Sequence, residues 1–200
     1  MKILNCRISV SFYFLAVFCM FVLTSNIEIL VAFMLSIFHE FGHLFSILLS
    51  KRKIKEIRIN LFSIEINEYY TGLSSYKKDY FVLISGSFFN IIIFLISKFF
   101  YKTYNINLLK LISVQSLLIG LFNLLPILSL DGGHIVLALL EKHFDFFKSQ
   151  KISFIISITF LIPVATIGFY LFVKSRFNFS MLLVSLYLSL LLILREKADQ

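Results

Sequence analysis

The side chains best placed to do chemistry are His39, Glu40 and His43, in the string His39-Glu40-Phe41-Gly42-His43. On a helix, residues four apart return to nearly the same face, so both imidazoles can grip one divalent cation while Glu40 sits beside it to act on water. That pattern suits metal-assisted hydrolysis. A serine or cysteine nucleophile is a poor competitor, because no nucleophile with a neighbouring base is visible and the histidines are already used. The polar residues continue along the same helix: Ser36, His39, His43, Ser46 and Ser50 follow a 3-4-3-4 spacing that can face a hydrated interior, with Ile37, Phe38, Leu44 and Phe45 directed largely away.

Two histidines leave a catalytic zinc site one protein ligand short. The best third ligand is Asp131, in Asn123-Leu124-Leu125-Pro126-Ile127-Leu128-Ser129-Leu130-Asp131-Gly132-Gly133. Pro126 interrupts helical bonding and the paired glycines permit a sharp turn, so a broken segment could return Asp131 to the metal. A helix cap is its alternative role. His134 fits an interface or outer-shell position better than a fourth ligand, since a fourth would compete with water. His143 reads as solvated.

These residues need elements to hold them, and the composition says in which solvent. The chain is 59% hydrophobic and 15% charged over 200 residues, with mean hydropathy +0.92. Such a surface would expose large apolar patches to water, so a lipid bilayer is the partner it implies. Six spans are expected, at about 8–24, 27–50, 80–99, 106–127, 152–173 and 178–194, each near the roughly 20 residues that cross a hydrocarbon core. The first run is long for a signal peptide and Thr24-Ser25-Asn26 follows it, which favours a retained helix. With the N-terminus inside, 14 of the 19 Lys and Arg fall on the inner side, so both termini are expected to be cytoplasmic. The net charge of +8 then has an explanation in anionic headgroups, and no basic soluble module points to nucleic acid.

His39 is twelve residues from the basic run starting at Lys51, about 18 Å along a helix, so water must reach well below the headgroups. Between the second and third spans, the alternation from Lys55 to Leu61 and from Ser63 to Asn67 reads as a short juxtamembrane β-hairpin. Residues 131–148 carry Leu137, Leu140 and Phe144 on one side, as an interfacial or capping helix would. Cys6 and Cys19 are too few for a disulfide scaffold and read as packing residues. The fold class expected is therefore an all-α polytopic membrane protein of about six transmembrane helices with that hairpin, forming a single domain over 1–200.

The sequence resembles the site-2 protease family of intramembrane zinc metalloproteases, also called peptidase family M50. His39-Glu40-Phe41-Gly42-His43 matches its HExxH motif, and Asn123–Gly133 matches its Asn-Pro-Asp-Gly region, whose aspartate is the family's third zinc ligand. Ser85-Gly86-Ser87-Phe88-Phe89-Asn90 is close to its small-Gly-Pro-x-x-Asn pattern. The resemblance covers about 27–134 and maps a three-helix catalytic core onto the second, third and fourth spans. It departs at Ser87, where proline is usual, and at Leu128, where proline is frequent. The small size looks like the bacterial sporulation-type branch, and the Phe, Ile, Lys and Asn bias is compatible with an AT-rich bacterial genome.

The resemblance implies one Zn2+ per chain held by His39, His43 and Asp131, with Glu40 as the catalytic acid-base. It also implies Asn90 and Asn123 as substrate-backbone or oxyanion contacts, interhelical hydrogen bonding being the alternative for both. The expected substrate is a transmembrane protein or peptide, such as a membrane-bound precursor or regulator, with room for a regulatory membrane partner, in a bacterial cell membrane. A noncatalytic metal-binding scaffold or chaperone of the same fold is the alternative function, and a metal transporter is a further one that the single visible site does not favour.

Overall fold

Backbone polar groups in lipid must be satisfied within the chain, and helices do this segment by segment. The computed structural model describes residues 2–3, 6–10, 26–50, 54–59, 64–68, 76–175 and 180–199. Its elements are β1 (Lys2–Ile3), β2 (Cys6–Val10), α1 (Ile27–Leu49), β3 (Ile54–Ile59), β4 (Ile64–Glu68), α2 (Tyr76–Tyr104), α3 (Asn107–Asn123), α4 (Asp131–Glu141), α5 (Phe146–Ser175) and α6 (Ser180–Asp199). The chain divides into two compact units, Met1–Leu121 and Phe122–Gln200.

In the first unit, Asn26 caps α1 by accepting from the backbone N–H of Glu28 at 3.0 Å and of Ile29 at 3.4 Å. That uses two of the donors a helix start leaves orphaned. Between α2 and α3 the chain turns at Asn105, whose φ of 53° lies in the left-handed region that asparagine tolerates. The helices present lipid with their apolar side and one another with their small and polar side. Ser46, Ser85, Ser87, Asn90, Ser113 and Ser116 are buried, whereas Phe38, Phe45, Phe81, Phe88 and Phe99 are exposed. This inverts a water-soluble pattern and matches helix association in membranes, where small residues let backbones approach. A Cβ on Gly42 would meet Ser85 O at 2.8 Å and Gly86 Cα at 3.0 Å, so α1 and α2 touch backbone to backbone. Ser116 Oγ of α3 donates to Asn90 O at 2.7 Å, and Gln115 Nε2 donates to Glu28 O at 3.1 Å.

The strands of this unit form one sheet in the order β1-β2-β3-β4. β1 and β2 pair antiparallel, as do β3 and β4, while β2 and β3 pair in parallel with Arg7 opposite Glu56 and Val10 opposite Ile59. A parallel pair needs a long crossover, and α1 lies within the one here.

The second unit is organised on Ile127, Leu128, Leu137, Leu161, Leu188 and Leu192, with Phe122, Leu125, Leu130 and Phe154 packed against them. α5 contains Pro163, and Gly168 brings it against α6, where a Cβ would meet Met181 C and Leu182 N at 3.1 Å.

Two parts of the expected architecture are corrected. Only three described helices, Ile27–Leu49, Tyr80–Tyr104 and Phe146–Lys174, are long and apolar enough to cross a membrane, in place of six. The expected fourth and sixth spans yield apolar helices at Asn107–Asn123 and Met181–Leu194, short of the roughly 20 residues needed. Asn123 ends the former ahead of Pro126, and Arg195 bounds the apolar part of the latter. The first expected span is not described as a helix: 8–10 belong to β2, and 11–24, with Cys19, lie outside the described residues. The candidate membrane spans are all helical, as expected, but the hairpin does not stand alone, because β3 pairs with β2 as well as with β4. A short apolar run reads equally as buried strand or helix, which is how β2 came to be counted within a span.

Candidate metal centre

Helical register alone brings His39 and His43 together: their Nε2 atoms are 3.2 Å apart, with the ring planes at 80°. Two imidazole nitrogens on one tetrahedral ion, with bonds of about 2.0–2.1 Å, are separated by about 3.3 Å, so the pair already has the chord that zinc requires. Both residues are buried. Their far nitrogens are also engaged. His43 Nδ1 lies 2.8 Å from Val82 O, and donating there fixes the tautomer that leaves Nε2 with its lone pair. Ser85 Oγ braces the same region by donating to Val82 O at 2.6 Å and standing 2.9 Å from Ser46 Oγ, while Ser46 Oγ donates to His43 O at 2.8 Å.

On the other ring, Asn90 Nδ2 lies 3.4 Å from His39 Nδ1. Asn90 is fully buried, and its Oδ1 has no hydrogen-bond partner. An asparagine amide turned over exchanges the two atoms. Oδ1 then accepts from Nδ1–H, giving His39 the arrangement His43 has with Val82, and the orphaned acceptor is resolved.

Gly86 supplies the space. A Cβ there would stand 2.7 Å from His39 Nε2 and closer still to His43 Nε2, so any side chain would fill the volume in front of the two nitrogens. From the sequence Gly86 entered only as part of the Ser85–Asn90 string, with no role of its own, and the Val82 carbonyl not at all. A glycine between two serines is the visible trace of the first, and a backbone carbonyl leaves none.

Asp131 is the first residue of α4 and half-buried. The helix is capped by Leu130 with no side-chain cap bond, so Asp131 occupies the first turn, where the macrodipole favours a carboxylate. Residues 124–130 before it are irregular but bonded: Leu125, Ile127 and Leu130 N–H groups donate to Phe122, Leu125 and Ile127 carbonyls at 3.1, 2.8 and 2.7 Å. Gly132 and Gly133 press against the backbone of Leu124, Leu125, Ile127 and Leu128, closer than a Cβ could come.

One atom from each of His39, His43 and Asp131 can be chosen so that all lie within 4.8 Å of one another, a group able to hold a metal ion. Two imidazoles and one carboxylate fit a zinc centre that keeps a position for water. Glu40 follows His39 on α1 and is half-buried. Asn90 lies against His39, and Asn123 is the last residue of α3, half-buried. Of the polar stripe, His39, His43 and Ser46 are buried and Ser50 half-buried, but Ser36 is exposed. His134 and His143 are exposed.

The model of peptidase family M50 matches residues 100–164. A zinc metalloprotease of Methanocaldococcus jannaschii is 41% identical over 66 residues, spanning 32% of this chain and 19% of that protein. The chain thus matches less than a fifth of that relative's length. The solved site-2 protease from Methanocaldococcus jannaschii has the same fold, with a TM-score of 0.65 at 24% identity over 94% of this chain and 89% of that one. The family match is confined to residues 100–164 and the solved structure, at 24% identity, shows the fold alone; neither singles out a sporulation-type branch. They correct the bacterial placement drawn from composition, since both relatives are archaeal. What stands is a multi-pass membrane protein; the orientation of its termini rested on six spans and falls with that count.

Proposed function

We infer that the chain is an M50 zinc metalloprotease of the site-2 type, hydrolysing peptide bonds in or near transmembrane segments of other proteins. The observation that carries this reading is the histidine pair with both Nε2 atoms turned to one space, together with the Asp131 carboxylate. Its support is the family match, the shared fold and the helices long enough for a bilayer.

His39, His43 and Asp131 would hold one zinc ion per chain. When bound, zinc supplies Lewis-acid polarisation of the scissile carbonyl and lowers the proton affinity of a neighbouring water. Glu40 accepts the water proton as the oxygen bonds to the carbonyl carbon, then returns it to the amide nitrogen as the C–N bond breaks, so no acyl-enzyme forms. Val82 O and Asn90 hold the two rings at Nδ1 so that neither can rotate its Nε2 away. Asn90 thereby acts as an orienting residue, and Asn123 remains the candidate for contact with the substrate backbone.

A transmembrane substrate hides its carbonyls in intrahelical bonds and must unwind locally before cleavage. Ser46, Ser85, Asn90 and Ser116 give the first unit a polar interior that lipid-exposed phenylalanines enclose. The test is cleavage of a peptide bearing one transmembrane segment by purified, zinc-loaded chain in proteoliposomes, compared with Glu40→Gln. The variant is expected to retain about one zinc and to lose at least about a hundredfold in rate. Cleavage at the wild-type rate would overturn the role of Glu40, and a preserved cellular function without any cleavage would favour the noncatalytic scaffold.

A further inference from the structure

We propose that Ser157 of α5 is a positioning residue for Asp131, acting by holding the loop that carries this carboxylate; the inference rests on the metal-ligand reading of Asp131 above. The loop 124–130 contains Pro126 and cannot use regular helical bonding. Leu125, Ile127 and Leu130 find backbone acceptors inside the segment. Leu128 instead donates its N–H to Ser157 Oγ at 2.9 Å.

That bond is sealed from solvent, since Ser157 is 0% and Leu128 3% exposed. The hydroxyl is also fixed in direction: it donates to Ser153 O at 2.8 Å, so a lone pair is left for Leu128. Without it, the buried N–H would lose the acceptor that Ser157 provides, at a cost in stability that a shift of the loop would relieve. Movement cannot stay local. Gly132 and Gly133 are pressed onto the backbone of Leu124, Leu125, Ile127 and Leu128, so the loop and the first turn of α4 shift together and take Asp131 with them. Groups bonded directly to a metal ligand change affinity by about 10–100-fold when lost, and Ser157, acting on Asp131 through the loop, belongs at the lower end of that range.

The same helix provides a matched control. Ser153 is one turn away, 2% exposed, and its Oγ has no hydrogen-bond partner. Losing either hydroxyl removes one buried oxygen from α5, but only Ser157 reaches the loop.

The test strips the full-length chain of metal in detergent and titrates it with Zn2+ against a chromophoric chelator. Ser157→Ala is expected to weaken zinc binding at least about tenfold, Ser157→Thr to stay within about threefold of wild type, and Ser153→Ala within about twofold. Wild-type affinity in Ser157→Ala, or an equal loss in Ser153→Ala, would overturn the proposal. If Ser157→Ala does not fold, Ser157→Thr decides: retained affinity supports the clamp, and a tenfold loss in a folded variant contradicts it. Failure of the wild-type chain to take up zinc would instead overturn the metal reading of Asp131, and this inference with it.

Discussion

His39 and His43 are presented by the middle of a regular 23-residue helix, whereas Asp131 follows seven residues, 124–130, that belong to no helix or strand. The first region sets its geometry by register: one turn of α1 fixes the ring separation, and Gly42 and Gly86 let α2 come close enough to brace the rings with Val82 O and Asn90. The second sets its geometry by burial. Ile127 and Leu128 sit in the core of their unit, and two glycines lock the turn against its own backbone. The contrast teaches that histidine placement is sensitive to what stands in front of the rings, while carboxylate placement is sensitive to the packing behind the loop.

Substitutions can break this contrast, and the largest effect is expected at Gly86. Gly86→Ala places a methyl against both Nε2 atoms and should lower zinc affinity more than about a hundredfold, beyond the usual effect of an outer-shell change. Gly120→Ala meets its nearest atoms, Asn90 Cβ and Ser87 O, at 3.3 Å and should bind zinc nearly as well as wild type. Chelator-competition titration of the two variants checks this. Equal affinities would mean that the space before the rings is not a metal position.

Next in size is Gly133→Ala in the loop region. Its Cβ collides with backbone that has no rotamer to yield, so overpacking should cost about 1–3 kcal/mol, read as a lower unfolding midpoint in detergent. An unchanged midpoint would show that the turn is looser than described.

A sharper comparison comes from Asn90. Asn90→Ala removes the partner of His39 Nδ1 and should weaken zinc binding by about tenfold, while Asn90→Asp keeps an acceptor there and should preserve it. If Asn90 served the substrate alone, both variants would bind zinc normally and differ only in cleavage. The smallest effect is expected at Ser46→Ala. Its hydroxyl donates to a carbonyl within its own helix, so the loss should stay near or below about 1 kcal/mol and leave zinc affinity unchanged.

The residues grouped as a possible metal site were legible because their signals are local. Spacing alone aligns His39 with His43, and Pro126 with Gly132-Gly133 marks a broken segment before any fold is known. Gly86, Val82 and Ser157 were not legible in those roles. Each works through an approach of distant elements: Gly86 through the crossing of α1 and α2, Val82 through a carbonyl every residue possesses, Ser157 through a contact 29 residues away in sequence. Spans were over-counted for a related reason. Hydropathy registers that residues such as Leu121 and Leu186 face lipid, but not where Asn123 ends a helix or where Arg195 ends the apolar part of one. The sheet was half visible, since alternation marks β3 and β4, but nothing local in β2 says that it pairs with β3.

X-ray absorption at the zinc edge of the purified chain tests the metal centre most directly. The expected spectrum shows one zinc per chain with two imidazole nitrogens at about 2.0–2.1 Å and oxygen completing the shell, and His43→Ala removes one imidazole contribution. A first shell of oxygen alone, unchanged by His43→Ala, would contradict it.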